Sequence, residues 1–292
     1  MDNKVIDFSV IIPHYNIPSA LRRLLDTIPV ADNLEVIVVD DKSDKELDDL
    51  EKLTAEYSNE RVKFLRNDTD QKGAGVCRNI GMSNAKGTWL LFADSDDMYA
   101  EGAYDVLMNN KDRDEDIIFF MPDSIKSDSG EKADRHIEFC DFLNRYLEEP
   151  SRKNELALRY EIVSPWSKMV RRSMVADNSI VFEGSRVAND VVFCRKIGFH
   201  ARKIAVERDN IYIITEREGS LTTFIGKEAY ETRLGEFIKG ARFVREHVDG
   251  DTWKTLGMSG GYFIHSCRVN KLGIAELIRT IRVLVSNGIR VI

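Results

Sequence analysis

The 292 residues include only four cysteines, Cys77, Cys140, Cys194 and Cys267, which lie far apart with no C-x-x-C pair. That spacing argues against a structural zinc site and fits reduced thiols in the cytosol. The histidines, His14, His136, His200, His247 and His265, show no metal-ligand spacing. A basic excess is also missing. Lys and Arg number 42 against 49 Asp and Glu, a net charge of −7, so there is no broad positive surface for nucleic acid. No stretch approaches the roughly eighteen consecutive apolar residues of a membrane-spanning helix. Met1 is followed by Asp2, Asn3 and Lys4, which does not read as a signal peptide. G-x-G-x-x-G is absent after the first predicted strand, against a dinucleotide-dependent oxidoreductase. Internal repeats and low-complexity tracts are absent too. What remains is a soluble globular composition, 43% hydrophobic and 31% charged, long enough for one large core.

The most informative stretch is Thr88 to Tyr99. Trp89-Leu90-Leu91-Phe92-Ala93 is apolar without alternation, the pattern of a strand buried on both faces. It stops in Asp94, Asp96 and Asp97, three carboxylates within four positions. Like charges crowded at a strand end are costly unless something neutralises them. A divalent cation that also grips a substrate phosphate would do so. The plainer alternative is an acidic turn, with Asp97 capping a short helix.

The preceding residues alternate in type. Strands are expected at residues 5–12, 34–39 and 61–65. Helices are expected at 19–28, with Ser19 as N-cap, from Ser43 or Asp44 to about Tyr57, and across Arg78 and Asn79, closed by Gly87. Such β-α-β alternation means a parallel sheet with helices on both faces, and ligands bind beyond the carboxyl ends of its strands. Pro13-His14-Tyr15, Asp40-Asp41, the 67–75 loop and Asp94-Ser95-Asp96 all fall at those ends. Further on, the pattern gives a helix at 101–110, a strand at 116–121 and a polar loop or hairpin at 123–135. Helices follow at 138–147, 152–160 and 191–199, short strands at 203–206 and 211–214, and helices from Lys227 onward.

Taken in order, these pieces resemble the inverting family 2 glycosyltransferases of the GT-A fold, of the bacterial polysaccharide type. The resemblance runs over roughly residues 7 to 225. It is carried by Ser9-Val10-Ile11-Ile12-Pro13-His14-Tyr15-Asn16, Val38-Val39-Asp40-Asp41-Lys42-Ser43, Gly73-Ala74-Gly75-Val76-Cys77-Arg78-Asn79, Phe92-Ala93-Asp94-Ser95-Asp96-Asp97, Pro165-Trp166-Ser167-Lys168, Arg171-Arg172-Ser173 and Asn189-Asp190. It implies an α/β fold with a Rossmann-like, mostly parallel sheet flanked by helices. A catalytic domain would span 1–225, with a nucleotide-binding half at 1–100 and an acceptor half at 101–225. A C-terminal helical region would follow at 226–292.

The resemblance also implies roles. Asp96, with Asp94, would ligate Mn²⁺ or Mg²⁺, and Asp94 and Ser95 would sit near the ribose and diphosphate of a nucleotide sugar. Asp41, with Asp40 beside it, would accept a hydrogen bond from the nucleobase; helix capping is the alternative. Pro13 and Tyr15 would shape the base pocket, beside the Gly73 loop. Arg78 would reach the base or diphosphate, or else be a surface charge. Asp190 would be the catalytic base, or a cap for the helix after it; the family usually has Glu-Asp where this chain has Asn189-Asp190. Trp166 would be a sugar-stacking platform or a core residue. Lys168, Arg171 and Arg172 would contact phosphate or face solvent. Tyr212 and Gly219-Ser220-Leu221-Thr222 resemble the family's closing segment, with Arg217 there to hold the diphosphate.

The expected reaction moves a sugar from a nucleotide-diphosphate sugar, UDP-linked by family habit, to a hydroxyl of a saccharide or lipid-linked saccharide. The alternatives are a catalytically degenerate nucleotide-sugar-binding domain and a sugar nucleotidyltransferase, although the Gly-rich phosphate loop of the latter is missing after strand one. A cytoplasmic protein is expected. Leu272 to Ile292, apolar at helical spacing with Arg279, Arg282 and Arg290, either lies on the inner face of the plasma membrane or packs on the catalytic domain or on a second subunit in a homo-oligomer.

Overall fold

The computed structural model describes residues 5–216 and 226–291. Its first half is a run of strand and helix: β1 (Phe8–His14), α1 (Pro18–Thr27), β2 (Leu34–Asp40), α2 (Leu47–Tyr57), β3 (Val62–Arg66), α3 (Ala74–Asn84) and β4 (Trp89–Phe92). These strands pair in parallel, with β1 between β2 and β4 and with β3 outside β2. Every residue of β1 and β4 is buried. That is why their sequences show no polar alternation, and each fully buried aliphatic side chain contributes about 2 kcal/mol.

The second half adds β5 (Met98–Tyr99), α4 (Ala103–Asn110), β6 (Ile117–Lys126), α5 (Ile137–Glu148), α6 (Arg152–Tyr160), β7 (Lys168–Arg171), α7 (Arg172–Asp177), α8 (Val191–His200) and β8 (Ile204–Glu216). The eight strands form one sheet in the order β3-β2-β1-β4-β7-β6-β8-β5. β7 runs antiparallel to both its neighbours, so the sheet is parallel on one side and mixed on the other. The expected GT-A architecture is present.

Several local expectations need correction. Helix α1 begins at Pro18 behind Ile17, so Ser19 lies inside the first turn. Proline suits that position because its missing N–H would have had no helical partner. Ser43 and Asp44 do not cap α2, which starts at Leu47 behind Glu46. Ser43 bonds Asp40 instead, and Asp44 bonds Asn16. Helix α3 stops at Asn84, before Gly87. A Cβ on Gly87 would come within 2.6 Å of Ser9 N, so the glycine admits the backbone of β1 rather than ending a helix. The two short strands expected around residues 203–214 are one strand, β8. Its pairing with β6 shifts register between Phe120 and Pro122, leaving Arg208 and Asp209 exposed. Pro122 has no N–H for the ladder, so a bulge there keeps the rest paired.

From Lys227 the chain is helical: α9 (Lys227–His247), α10 (Gly250–Leu256), α11 (Gly261–Val269) and α12 (Ile274–Ser286). These helices build a second core from Tyr230, Leu234, Ile238, Phe263 and Leu284, and it takes in Leu156 and Tyr160 of α6. The C-terminal region is therefore seated on the sheet-bearing layer by shared burial. Helix α12 turns Glu276, Thr280 and Leu284 inward and leaves Ile274, Ile278 and Val285 exposed. Among the described residues no helix is long and apolar enough to cross a membrane.

Candidate active site

Parallel pairing aligns the carboxyl ends of β1, β2 and β4 on one edge, with His14 in register with Asp40. Beyond that edge lies a cleft of about 300 Å³. Pro13, Tyr15, Asp41, Arg78, Asp94, Ser95, Asp96, Asn189 and Asp190 all line it. Residues from distant parts of the chain thus meet on one surface, as the sequence reading expects.

In this cleft Asp41 is held from two sides. Its Oδ1 accepts from Asn67 Nδ2 at 2.7 Å and its Oδ2 from Gly73 N at 2.7 Å. Gly73 has φ +137°, a conformation that favours glycine and aims this N–H at the carboxylate. Each carboxylate oxygen keeps a second lone pair for a ligand N–H. Asn67 is fully buried, and its Oδ1 accepts from Thr69. The sequence reading passed over it; an Asn opening a polar, Gly-containing loop was the available signal. Asp40 turns away from the cleft and bonds His14 Nδ1 at 3.1 Å and Ser43, so it positions the loop rather than facing a ligand. Tyr15 is 44% exposed at the rim, with the Lys72 amine 4.8 Å from its ring centre.

Arg78, on α3, also lines the cleft and is 4% exposed. It donates to Asp94 Oδ1 at 2.5 Å and to Asn189 Oδ1 at 2.9 Å. It is a buried bridge, not a surface charge. Asp97 is 3% exposed and does not cap a helix. It accepts from Tyr212 Oη and from Thr215 N, each at 2.7 Å. Tyr212 Oη also accepts from Asp94 N at 2.9 Å. Asp97 and Tyr212 therefore clamp the Asp94–Asp96 turn to β8. Burial, with the charges of Asp94 and Asp96, pushes the Asp97 carboxyl well above its ordinary range.

Asp190 ends the turn before α8 and makes no side-chain cap bond to it. Burial pushes its carboxyl upward, Arg78 pulls it back, and Lys168 adds a weaker pull in the same direction. A carboxylate held out of water in this way has a raised proton affinity, which a general base needs.

Two expected contacts are not where a ligand could use them. Trp166 is stacked on both faces, by Phe139 at 5.1 Å and by Tyr212 at 5.7 Å, so no face is left for a sugar. Lys168 is 2% exposed, donates to Ile162 O at 3.1 Å and lies over the Phe119 ring. Neither Arg171 nor Arg172 is a phosphate contact at this cleft. Arg171 pairs with Trp89, at the start of β4 and away from Asp94, and Arg172 donates to Gly87 O. Arg217 and the Gly219-Ser220-Leu221-Thr222 segment lie outside the described residues.

Asp94 and Asp96 are the carboxylates that could hold a cation, since both face the cleft and neither is fully buried. Among the described residues no three His, Cys, Asp or Glu side chains cluster tightly enough to form a complete cage. One or two hard oxygen donors beside room for a diphosphate fit Mg²⁺ or Mn²⁺, which take their remaining ligands from substrate phosphate and water.

With this geometry in place, comparison with known proteins is decisive at family level. The family model described as Glycosyl transferase family 2 matches residues 9–178, more than half of the chain. The protein belongs to glycosyl transferase family 2. The matched span contains every cleft residue up to Asp96 but stops short of Asn189 and Asp190. Curated relatives of this family 2 chain include the putative glycosyltransferase EpsH of Bacillus subtilis, 25% identical over 82% of the chain and 69% of EpsH. The poly(ribitol-phosphate) beta-N-acetylglucosaminyltransferase TarS of Staphylococcus aureus is 29% identical over 74% of the chain and 36% of TarS. The match thus spans only about a third of TarS. Among solved structures, S. aureus TarS 1-349 in complex with UDP-GlcNAc aligns with TM-score 0.61 and 22% identity over 97% of this chain and 89% of that one. A mannosyltransferase from Pyrobaculum calidifontis in complex with GDP-Man and Mn²⁺ aligns with TM-score 0.60 and 17% identity over 98% and 76%. At these identities the structural likeness establishes the shared fold.

Proposed function

We propose that this family 2 chain transfers a sugar from a nucleoside-diphosphate sugar to an acceptor hydroxyl with inversion. The observation that carries the reading is the meeting of Asp94, Asp96 and Asp190 in one cleft that Asp41 also lines. Asp41 suits a base-edge N–H, as uracil or guanine presents. Pro13 and Tyr15 shape the wall beside it. Asp96 and Asp94 would hold Mn²⁺ or Mg²⁺, and the bound cation supplies charge neutralisation for the departing diphosphate. Arg78 fixes Asp94 and Asn189 relative to each other, which keeps the two ends of the reacting centre in register. Asp190 takes the proton as the acceptor oxygen forms its bond to the anomeric carbon and the bond to the diphosphate oxygen breaks. A single displacement of this kind inverts the anomeric centre. A UDP-sugar donor draws support from the relative solved with UDP-GlcNAc, and the cation from the one solved with Mn²⁺. A role in cell-surface polysaccharide synthesis draws support from the TarS relative, and a peripheral membrane contact from the exposed Ile274, Ile278 and Val285 beside Arg282.

The deciding experiment mixes the full chain with UDP-glucose, UDP-galactose, UDP-N-acetylglucosamine or GDP-mannose, with Mn²⁺, Mg²⁺ or EDTA. Nucleoside diphosphate release and thermal stability are read together. Metal-dependent stabilisation and release with at least one donor are expected. Stabilisation without release or transfer points instead to a binding-only domain, and neither response to any donor overturns the assignment.

A further inference from the structure

A second cavity, of about 470 Å³, meets the first at Ala188, which lines both. Asp190 faces the first and the next residue, Val191, faces the second, so a single turn of chain separates them. One wall is surface of the sheet-bearing layer, including Glu161 and the buried Trp166. The other comes from α9 and α11, with Phe237 and Tyr262. The cavity therefore exists only because the C-terminal helices, which lie outside the family match, dock where they do.

Its chemistry is mixed. Apolar rings alternate with Arg135, Glu138, Glu161, Arg195 and Arg233. Arg195 is 1% exposed and donates to the carbonyls of Tyr160 and Phe237, so it is committed to holding α9. Glu161 is different. Burial pushes its carboxyl upward, the charge of Arg195 pulls it back, and no hydrogen bond to that carboxylate is made among the described residues. Glu161 is only half-buried, and a carboxylate there that makes no hydrogen bond has acceptor positions open to a ligand hydroxyl. Tyr262 is 54% exposed and its recorded ring contact is edge-on, with Phe263. Aromatic faces beside planar polar groups match a sugar, which has apolar C–H faces and hydroxyl edges. Glu138 and Glu161 offset two of the three arginines, so the lining lacks the strong positive excess that would gather a polyanion such as a polyol phosphate.

We propose that this second cavity is the acceptor site and that it takes a neutral saccharide, with Glu161 accepting from a hydroxyl and Tyr262 packing on the ring. The proposal rests on the transferase reading and supplies its acceptor class. It also moves the sugar platform from Trp166, whose faces are covered, to Tyr262.

The test uses the full chain with whichever donor is released in the preceding screen. Its acceptor probes are p-nitrophenyl glycosides of glucose, galactose and N-acetylglucosamine, and, separately, glycerol 3-phosphate and ribitol 5-phosphate. At least one neutral glycoside is expected to stimulate nucleotide release and to carry the transferred sugar. Tyr262→Ala and Glu161→Gln should each raise that glycoside's KM about tenfold, the weight of one lost contact, while donor KM moves less than about twofold. Glu161→Gln keeps the shape of the side chain, so a fold defect in one variant leaves the other informative. Stimulation by the polyol phosphates alone, stimulation by neither class, or unchanged glycoside KM in both folded variants would overturn the proposal. Absence of donor binding in the parent chain is a separate outcome, which removes the transferase reading itself.

Discussion

Arg78 reaches across 111 positions of sequence to Asn189, its Nη1 lying 2.9 Å from the side-chain oxygen, while its Nη2 pairs with Asp94. The family usually has Glu where Asn189 stands. A second carboxylate here would compete with Asp94 for the same guanidinium, whereas the amide accepts one N–H without that competition.

Removing this bridge should be expensive. Arg78→Ala empties a buried site and takes the shared donor from the partly exposed Asp94 and the buried Asn189, and should destabilise the fold by about 2–4 kcal/mol. Asn189→Ala leaves only one buried N–H unsatisfied, a loss of about 1–3 kcal/mol. Urea melts of the two variants against the parent check the ranking; equal losses would mean the Asp94 pair matters little.

Asp190→Asn separates chemistry from folding. Transfer should fall by about 10²–10⁴-fold, the usual worth of a positioned general base. Nucleotide binding should survive. Burial raises the Asp190 carboxyl in the folded state, so its ionisation opposes folding increasingly as pH rises above the unfolded value. The neutral amide removes that term, and the variant's melting temperature at pH 8 should equal or exceed the parent's. A matched loss of activity and stability would contradict the assignment.

The same raised carboxyl shapes the pH profile. The base works only when deprotonated, so the rate should fall with acid at a midpoint above the ordinary carboxylate range. Lys168 is a buried cation that helps hold Asp190 down. Lys168→Met should therefore move the acid limb to higher pH with little change in donor KM. A lost donor KM with an unmoved limb would return Lys168 to the role of ligand contact.

Asp96→Asn should abolish the Mn²⁺-dependent part of nucleoside diphosphate binding. At ligand about a hundredfold above Kd, binding stabilises the parent by about 2.7 kcal/mol, and the variant should show little of this in thermal shift. Full stabilisation by UDP plus Mn²⁺ in the variant would remove Asp96 from the cation site.

A test of the fold lies at the opposite edge of the sheet. Glu35 is 2% exposed and accepts from Ser9 Oγ at 2.7 Å, Lys63 Nζ at 3.1 Å and Lys86 N at 2.5 Å. Burial pushes its carboxyl up, but those three bonds outweigh burial and hold it below its ordinary value. Its contribution is thus present above the unfolded carboxylate pKa and lost as pH falls through the folded one. Glu35→Ala should cost about 3 kcal/mol at pH 7, with a smaller difference from the parent in acid, as chemical denaturation at the two pH values would show.

The sequence by itself determined the buried parallel strands, because a strand covered on both faces must be apolar throughout, and it determined which ends carry the polar clusters, because they interrupt those runs. Pro13, Asp41 and the Asp94–Asp96 turn were legible on that ground. The tertiary structure decided what each polar side chain faces. Asp40 and Asp41 are neighbours in sequence, yet one bonds His14 and the other lines the cleft. Asp97 turns inward to Tyr212, Lys168 is buried over Phe119, and Trp166 is covered on both faces. The second cavity belongs wholly to this class. Its walls come from α5, residues 161–166 and α8 on one side and from α9 and α11 on the other, and only the packing of one layer on another brings those surfaces together. Periodicity reports whether a residue is buried, while the partner it is buried against depends on contacts far apart in the chain.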